Sequence, residues 1–392
     1  MSNSYKLLVF SHKICWKSES SPSGWATDGG FALQMDALAG KFCEVRIITA
    51  VDSSKSRSGE MYFQSKNITV TGLNEWVNPS RSTLVKLVLP IWILRYLSVF
   101  IRQIVWCDYI HIPLPSHIGL SGFFLSLASR KKVFVRHCGN WLLPKTQTEK
   151  LIKWLLIKLA GKRVICWATG GDTTPPSENN SNIEWIFSTS LKSTQFNSQT
   201  EPKKIGQGRL HLVHIGRQEW EKGAHILIEA MPEVLSKFPE ATLSIVGAGS
   251  ALPALVKLSE SNGLQNKIIF TGKLNQAGVL NILDNSSVFC FPSYSSEGFP
   301  KVVLEAMSRG VPVITSKVSI LKKLIPESGA GELMIDCTKK SFLEALDKLT
   351  STSGHYENCS INALSYSGQF TLEKWADLII TKIEYTWKVK IH

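Results

Sequence analysis

Short runs of β-branched and other apolar residues alternate along the chain with longer stretches whose apolar residues recur at helical spacing. The long stretches, such as residues 224–238 and 250–262, predict helices. Strands that alternate with helices form parallel sheets covered on both faces, so the pattern predicts an α/β fold. The short runs predict strands at residues 5–10, 44–49, 68–73, 108–112, 132–137, 163–168, 210–215, 241–246, 267–271, 288–291 and 311–315.

The chain is too long for one ordinary core, since it has 392 residues of which 44% are hydrophobic. A polar stretch at residues 197–208 contains proline and two glycines and has the composition of a linker. We therefore predict a Rossmann-like domain over residues 1–196, a linker over 197–208 and a second Rossmann-like domain over 209–368. The end of the chain, from residue 369, has the pattern of an amphipathic helix.

Positive charge is concentrated in the first half of the chain. Residues 1–200 hold 23 Lys and Arg against 12 Asp and Glu, whereas residues 201–392 hold 21 against 19. A basic half favours a polyanionic partner: a nucleic acid, an acidic glycan or an anionic lipid surface. The alternative is a basic surface that serves only solubility. We expect no nucleic-acid partner, because the sequence has no helix-turn-helix, zinc or RNA-binding signature.

Two segments of the basic half raise the question of a membrane. Residues 84–107 are long enough to cross a bilayer, but Arg95 and Arg102 interrupt them, and charge at that depth is costly. We predict a helix of the first domain there, packed on the sheet or lying on a membrane surface. Residues 151–163 combine Trp154 with several Lys and Arg, a composition that suits the headgroup layer of an anionic membrane.

The location of the protein follows from two weaker signals. The eight cysteines are scattered, without the spacing of a metal site, which indicates reduced thiols. The N-terminal residues lack the pattern of a secretory signal. We therefore expect a cytoplasmic protein, with peripheral binding to the inner membrane face as the further expectation.

The stretch from residue 288 to 315 has the features of a ligand site at a strand end. A buried strand run leads into a polar loop, residues 297–300 and a helical run, and Pro300 suits the first turn of that helix. Open α/β sheets bind ligands at the carboxyl ends of strands, and a helix start offers N–H groups to phosphate. Two carboxylates in this stretch, Glu297 and Glu305, can each hold a pair of sugar hydroxyls.

This stretch closely resembles the paired-glutamate motif of the family-four retaining glycosyltransferases of GT-B fold. The resemblance implies two Rossmann-like domains that face each other across a cleft, with residues 369–392 crossing back to the first domain. It implies that Glu297 contacts the donor sugar as a catalytic residue and that Glu305 binds the nucleotide ribose. It also implies donor contacts with the backbone of neighbouring positions: Gly298, Phe299 and Pro300 at the sugar, and Val302 and Val303 near the phosphates.

A second element precedes this motif. Arg217 and Lys222 follow a predicted strand, and two such cations can meet at one diphosphate, arginine as a fork and lysine as a point charge. The element resembles the Gly-Arg…Lys-Gly element of the same family, which implies that both side chains neutralise the donor's diphosphate in catalysis. Gly272 and Lys273 match the family's strand end near the nucleobase.

The first half resembles the family less closely. Residues 24–33 predict a glycine-bearing loop before a helix, and glycine lets the backbone approach a ligand. This loop resembles the family's N-terminal glycine loop, which faces phosphate and acceptor, with Gly29 and Gly30 as the matching positions. His137 ends a predicted strand. Many relatives have a histidine at this strand end, near the donor sugar, which implies the same role for His137. The alternative is a structural role, since a lone histidine is more often structural. Residues 185–190 depart from the Pro-Asn-Gly segment that relatives often show there.

We expect a transfer that uses no metal and no cofactor, because the sequence has no Asp-x-Asp and no cluster of metal ligands. Arg217, Lys222 and the helix start would then stabilise the leaving diphosphate as fixed charges. By resemblance the reaction retains anomeric configuration through front-face attack. The expected partners are a nucleotide sugar and a glycan or lipid-linked acceptor, in the synthesis of cell-surface polysaccharide or glycoconjugate.

Other classes of protein share parts of this pattern. A sugar-nucleotide epimerase of GT-B-like fold would bind the same donor, and a catalytically silent binding protein remains the alternative that is not an enzyme. A nicotinamide oxidoreductase is disfavoured, because the glycines at 247 and 249 are followed by Leu252, where the dinucleotide fingerprint needs a third glycine.

Overall fold

The computed structural model describes residues 4–52, 60–74, 82–144, 146–172, 174–196, 201–205, 209–295 and 299–391. The chain divides into two compact units. Unit 1 comprises Met1–Thr169, Thr174–Ile186 and Trp375–His392, and unit 2 comprises Gly170–Thr173 and Phe187–Lys374.

Unit 1 is built on a sheet that has ten strands among the described residues. Its strands are β1 (Lys6–Phe10), β2 (Cys15–Lys17), β3 (Trp25–Asp28), β4 (Glu44–Val51), β5 (Glu60–Tyr62), β6 (Ile68–Asn74), β7 (Tyr109–Leu114), β8 (Lys132–His137), β9 (Val164–Thr169) and β10 (Ile183–Ile186). They lie in the order β10-β9-β8-β7-β1-β4-β2-β3-β5, and β6 also pairs with β4. All pairs are parallel except β2 with β3 and β3 with β5.

Helices connect these strands and cover the sheet of unit 1: α1 (Phe31–Ala39), α2 (Ser82–Trp106), α3 (His117–Ala128) and α4 (Gln147–Leu159). Buried residues of α2, α3 and α4 share one apolar cluster with alternate residues of the central strands, such as Ile110 and Val133. These three helices therefore lie on the same face of the sheet. Helix α4 starts with a reciprocal capping box between Thr146 and Glu149.

Unit 2 is built on a six-stranded sheet with the order β13-β12-β11-β14-β15-β16, and all of its pairs are parallel. Its strands are β11 (His211–Ile215), β12 (Thr242–Val246), β13 (Ile268–Gly272), β14 (Val288–Phe291), β15 (Val313–Thr315) and β16 (Gly331–Leu333). Its helices are α5 (Ala224–Lys237), α6 (Leu252–Ser261), α7 (Gln276–Asp284), α8 (Lys301–Ser308), α9 (Leu321–Ser328), α10 (Lys339–Ser351) and α11 (His355–Ser367). One apolar cluster packs α5, α6 and α10 on the sheet, and another packs α7, α8 and α9.

The last helix, α12 (Leu372–Trp387), begins in unit 2 and continues in unit 1. Its Trp375 has no exposed surface. Trp387 stacks on Tyr109 of β7 with ring centroids 5.3 Å apart, and its indole N–H donates to the carbonyl of Lys162 at 2.9 Å. The chain thus returns to unit 1, as the sequence predicts.

The α/β class with two Rossmann-like units is confirmed, and each strand predicted from the sequence corresponds to a strand of the structure. The division after Ile186 comes earlier than the predicted boundary at residue 196. The chain beyond Phe187 already packs into unit 2, because Leu191 is fully buried there in one cluster with Phe289. The carbonyl of Leu191 also accepts a hydrogen bond from the backbone N–H of Leu372 at 2.7 Å.

Residues 84–107 form most of α2, as predicted, and α2 packs on the sheet through Trp92, Phe100 and Ile104. Within the described ranges, no helix combines the length and the apolar character that a membrane crossing requires.

Candidate functional site

The ends of β11, β12 and β13 meet at the carboxyl edge of the unit 2 sheet. The N–H of Gly216 donates to the carbonyl of Val246 at 3.0 Å, and the N–H of Gly247 donates to the carbonyl of Gly272 at 2.8 Å. Gly247 has a φ of +124°, and a Cβ there would lie 1.9 Å from the Gly216 carbonyl oxygen. The glycine is therefore required for the close approach of these strand ends.

Gln218 fixes the loop that follows β11. Its side chain is fully buried, and its amide donates to the carbonyls of Gly216 at 3.0 Å and Val246 at 2.9 Å. Its backbone N–H donates to the Ala248 carbonyl at 3.1 Å, and its own carbonyl accepts from Ala251 at 2.9 Å. The loop is thus held against the end of β12. No sequence signal marks this glutamine, because its partners are distant backbone atoms.

The two predicted diphosphate cations lie on this fixed loop in different surroundings. Arg217 is exposed, whereas Lys222 is only 2% exposed and donates from Nζ to the hydroxyl of Ser295 at 2.9 Å. Lys222 ends a single 3-10 turn, Trp220–Lys222, and α5 begins after Gly223. The structure therefore offers one solvent-facing guanidinium and one buried ammonium on the same short loop.

The loop is fastened to the chain that follows β14. The N–H of Tyr294 donates to the carbonyl of Glu221 at 2.9 Å. Gly223 has a φ of +77°, and a Cβ there would lie 2.1 Å from the carbonyl oxygen of Pro292. Residues 292–295 lead directly into the paired-glutamate motif, so the structure brings the cation-bearing loop to the start of that motif.

Glu297 and Gly298 lie outside the described residues, so their predicted contacts stay predictions. Phe299 and Pro300 precede α8, which begins at Lys301 as the proline predicts. Two further predicted donor positions, Val302 and Val303, form the first turn of this helix. The helix ends at Ser308 and is followed by Gly310 with a φ of +66°.

Glu305 lies on α8 and accepts a hydrogen bond from the hydroxyl of Ser190. The carbonyl of Ser190 in turn accepts from the side chain of Gln276 at 2.8 Å. Although part of Glu305 reaches the surface, burial raises the pKa of its carboxyl group, and the Ser190 hydrogen bond and the charge of Lys301 oppose that effect. Ser190 was not predicted as a site residue, because it belongs to the segment that departs from the family pattern.

Gly272 ends β13 beside this edge, and Lys273 follows it. Gly272 has a φ of +68°, which favours glycine, and Lys273 is exposed. The carbonyl of Gly272 is already bonded to Gly247, so the backbone at this position is fixed by the neighbouring strand.

The glycines predicted in unit 1 lie at a helix start rather than in a long loop. Residues 25–28 form strand β3, and only Gly29 and Gly30 remain between it and α1. The expectation of a loop from residue 24 to 33 was wrong, because pairing with β2 and β5 orders Trp25–Asp28 as a strand. Gly29 has a φ of +65°, and Gly30 is the N-cap of α1 without a side-chain cap.

His137 ends β8 and is 1% exposed. Its ring contacts Trp141 edge to face at 5.1 Å, and neither ring nitrogen has a hydrogen bond of ordinary geometry. Burial lowers its pKa to about 4, and the charge of Glu149 and the Gly139 backbone oppose the shift. In the sheet, strands β7, β1, β4 and β2 lie between β8 and β3. The structure therefore does not place His137 and the two glycines on neighbouring strands.

In the part of the chain that the structure describes, no three His, Cys, Asp or Glu side chains are grouped so that they could hold a metal ion.

Comparison with known proteins shows a family similarity within unit 2. Residues 195–366 match the model of a family described as glycosyl transferases group 1. Over these residues, the chain is similar to the glycosyl transferases group 1 family. The matched residues, 195–366, are called the group 1 region below. The region begins shortly after Ser190 and contains the six strands of the unit 2 sheet together with its helices from α5 to α10 and nearly all of α11.

Curated relatives of the chain include two mycobacterial enzymes. A phosphatidyl-myo-inositol mannosyltransferase of Mycobacterium leprae is 31% identical over 136 residues, which are 34% of this chain and 36% of that protein. A glycogen synthase of Mycobacterium tuberculosis is 31% identical over 124 residues, 32% of this chain and 30% of that protein. The chain thus spans about a third of the length of the curated relatives it matches.

Solved structures are similar over nearly the whole chain. The Anabaena protein HepE in complex with UDP superposes with a TM-score of 0.68 at 17% identity, covering 97% of this chain and 100% of that one. A sucrose-phosphate synthase from Thermosynechococcus elongatus gives a TM-score of 0.72 at 15% identity, covering 98% and 100%. At these identities the likeness concerns the fold, which is the GT-B fold that the family resemblance implies.

Proposed function

We propose that the protein is a retaining glycosyltransferase that transfers a sugar from a nucleotide-diphosphate donor to a hydroxyl of a glycan or lipid-linked acceptor. The observation that carries this proposal is the junction between the loop bearing Arg217 and Lys222 and residues 292–295. This junction joins the loop that bears the two cations to the residues that precede the paired-glutamate motif. HepE was solved with UDP, which supports a nucleotide donor.

The donor is held by groups of different chemistry. Arg217 and Lys222 bind the diphosphate, and the first turn of α8, which contains Val302 and Val303, presents the positive end of the helix dipole to it. Glu305 accepts hydrogen bonds from the ribose hydroxyls, with Ser190 orienting its carboxylate. Glu297 contacts the sugar, and the backbone at Gly272 and Lys273 borders the nucleobase.

The transfer forms a bond between the acceptor oxygen and the anomeric carbon while the bond from that carbon to the diphosphate oxygen breaks. The acceptor attacks from the face that the diphosphate leaves, so the configuration is retained, and the acceptor's proton passes to the departing phosphate oxygen. Arg217 and Lys222 stabilise the negative charge that develops on the diphosphate, without a metal ion. Lys222 is the stronger contributor, because its charge acts in a water-poor setting.

The test of this proposal combines binding and turnover. A thermal-shift panel of nucleoside diphosphates and sugar nucleotides identifies the donor, since a bound ligand stabilises the folded state by mass action. The stabilising sugar nucleotide is then incubated with acceptors, and the anomeric configuration of the product is determined by NMR. Turnover of the donor sugar without acceptor to an epimer would instead identify an epimerase, and absence of binding to every nucleotide would indicate a silent protein.

We also propose that the protein works at an anionic membrane surface on the cytoplasmic side. The outer side of α2 carries Ile91, Leu94, Ile101 and Val105, which are 67%, 69%, 49% and 70% exposed. Their spacing puts them on one stripe of the helix. Arg95 and Arg102, each next to a member of the stripe, are exposed as well.

Helix α4 repeats this arrangement on the same face of the sheet. Leu151 and Trp154 are both 55% exposed, and Lys158 is exposed one turn further on. Exposed apolar side chains edged by basic ones suit the headgroup layer, with each basic residue contributing about 1 kcal/mol. Lys153, in contrast, donates to the carbonyl of Trp141 at 2.8 Å and therefore serves the packing of unit 1.

Sedimentation with vesicles tests the membrane proposal. We expect binding to vesicles that contain phosphatidylglycerol, less binding to pure phosphatidylcholine, and release by added salt. Leu94→Glu with Ile101→Glu should abolish binding, whereas Ile361→Glu, at an exposed apolar position of unit 2, should not. If both variants sediment with vesicles as the wild type does, or if the wild type does not bind at low salt, the membrane proposal is wrong and the acceptor is soluble.

A further inference from the structure

Three aromatic rings form a parallel stack at the carboxyl edge of the unit 2 sheet. The Trp220 indole lies 4.3 Å from the imidazole of His225 with an interplanar angle of 6°. The imidazole is in turn parallel to the ring of Tyr294, at 6.0 Å and 1°. His225 in the middle is buried, whereas Trp220 is 53% exposed and Tyr294 is 52% exposed. The two outer rings therefore present aromatic surface to solvent.

The stack is held rigidly by contacts outside it. The hydroxyl of Tyr294 donates to the carbonyl of Cys337 at 2.9 Å, and its backbone N–H donates to Glu221 at 2.9 Å. Trp220 lies in the 3-10 turn that Gln218 and Gly223 anchor at either end. Burial lowers the pKa of His225, so the central ring is uncharged at neutral pH. The aromatic faces are thus in place before any ligand arrives, which lowers the entropic cost of binding.

Polar side chains surround the same rings. A cavity of about 970 Å³ is lined by Arg217, Glu219, Trp220, Glu221, Ser250, Ala251 and Tyr294. Glu219 accepts hydrogen bonds from the N–H of Ser250 at 3.2 Å and from its hydroxyl. These bonds hold the pKa of Glu219 below its ordinary value, so its carboxylate is ionised and fixed in position. Glu221 is exposed beside it.

The combination of aromatic faces with carboxylates selects a class of ligand. An aromatic face carries partial negative charge and attracts the C–H groups on the apolar face of a sugar ring. Carboxylates accept hydrogen bonds from hydroxyls, and a hydrogen bond to a charged group is among the stronger ones. Arg217 in the same lining is assigned to the donor diphosphate, and the two carboxylates repel a further anion, which disfavours a lipid phosphate or an acidic glycan in this position. A neutral carbohydrate chain satisfies both kinds of surface.

We propose that the cavity beside Trp220 and Tyr294 binds a neutral oligosaccharide, one sugar ring stacking on Trp220 and its hydroxyls bonding to Glu219 and Glu221. The binding of carbohydrate depends on the residues of unit 2 alone. Its assignment as part of the acceptor rests on the proposed glycosyltransferase activity. In that case the site holds sugars of the acceptor chain that do not react, and it makes the enzyme selective for a glycan over a single sugar.

The experiment uses the full chain without donor, on an array of neutral and acidic oligosaccharides, followed by calorimetry with the strongest binder. Trp220→Ala should weaken oligosaccharide binding about tenfold or more, and Trp220→Phe, which keeps a ring, should restore part of it. Ile361→Ala truncates an exposed apolar side chain of unit 2 that is 47% exposed and should leave binding unchanged. Circular dichroism verifies that each variant is folded.

Nucleoside diphosphate affinity and donor hydrolysis without acceptor are measured on the same variants. We expect both to be unchanged in Trp220→Ala, while transfer to a long acceptor falls more than transfer to a monosaccharide. A loss of nucleoside diphosphate affinity in that variant would mean that Trp220 stacks on the nucleobase, and the carbohydrate site would be wrong. If no oligosaccharide binds although the donor does, the carbohydrate site is wrong and the transferase proposal stands. If an oligosaccharide binds but no nucleotide does, the carbohydrate site stands and the transferase proposal is wrong.

Discussion

Ser190 and Glu305 are 115 residues apart in the sequence, and the serine hydroxyl donates a hydrogen bond to the glutamate carboxylate. The serine precedes the group 1 region, and the glutamate lies on α8 within it. The hydrogen bond stabilises the ionised form of a carboxyl group whose pKa burial raises. The contact between Ser190 and Glu305 therefore affects the fraction of Glu305 that is ionised, and so able to accept hydrogen bonds, at a given pH.

Glu305→Gln should weaken the binding of the nucleoside diphosphate identified in the thermal-shift panel. The neutral amide loses the charge-assisted hydrogen bonds to the ribose, which corresponds to about 1.5–3 kcal/mol. Calorimetry measures the affinity, with Glu260→Gln on the exposed side of α6 as the matched control. Unchanged affinity in a folded Glu305→Gln protein would contradict the ribose assignment.

The affinity should also depend on pH through the same carboxyl group. Since burial raises its pKa and the ionised form accepts the ribose hydroxyls, affinity should fall as the pH decreases through that raised value. Ser190→Ala removes a bond to the ionised form, so the decrease should begin at a higher pH than in the wild type. Ser261→Ala on α6 provides the control. Coincident pH profiles for Ser190→Ala and the wild type would show that the serine does not tune Glu305.

Arg217→Ala and Lys222→Ala should each lower kcat by about a hundredfold or more, as expected when a fixed partner of developing negative charge is removed. The exposed Lys257 on α6 offers a control, and Lys257→Ala should keep full turnover. Lys222→Met, of similar length but uncharged, separates the loss of charge from the loss of packing around a buried side chain. Normal turnover in Lys222→Met would exclude a charge role.

Turnover should survive chelation by EDTA, because Arg217 and Lys222 supply the positive charge for the diphosphate in the proposed reaction. The rate is measured before and after EDTA treatment, and again after the addition of magnesium or manganese. A rate that disappears with EDTA and returns with either ion would overturn the metal-free mechanism.

Three buried histidines should make folding stability depend on pH. Burial lowers the pKa of His111 to about 3 and those of His137 and His214 to about 4. Below the ordinary value of 6.5 the unfolded chain binds protons that the folded protein does not. The unfolding free energy should therefore fall as the pH decreases from 6.5 towards 4, by about 1.4 kcal/mol per pH unit for each histidine.

Denaturant titrations at several pH values measure this slope. His214→Gln should reduce it by the share of one histidine, whereas His117→Gln, at an exposed position, should leave it unchanged. An identical slope in all three proteins would show that His214 does not titrate differently in the folded state.

The sequence predicted eleven of the parallel strands, because these are runs rich in apolar residues, but it did not predict the parallel strands β2, β10 and β16. Strand β3 was missed, since Trp25–Asp28 lies between glycines and becomes a strand only through pairing with β2 and β5. The pairing of β3 depends on tertiary contacts, so no local sequence pattern predicts it.

In the candidate site, too, local patterns predict some features, whereas others arise only from tertiary contacts. Arg217, Lys222 and Pro300 stand at strand ends and a helix start that local patterns predict, and their positions are confirmed. Gln218 and Ser190 act through backbone or side-chain atoms far away in the sequence, so no pattern around them predicts their roles. The aromatic stack was missed for a related reason, since Trp220 and Tyr294 come together only because β11 and β14 are neighbours.

The return of α12 to unit 1 has a consequence for synthesis on the ribosome. Domains fold in order from the N-terminus as they emerge. The sheet of unit 1 has emerged once β10 is made, yet its cover, Trp375 and Trp387 included, follows only after all of unit 2. During that interval Tyr109 and its neighbours lack their final partner. Unit 1 is therefore the first part of the chain to start folding and the last to finish.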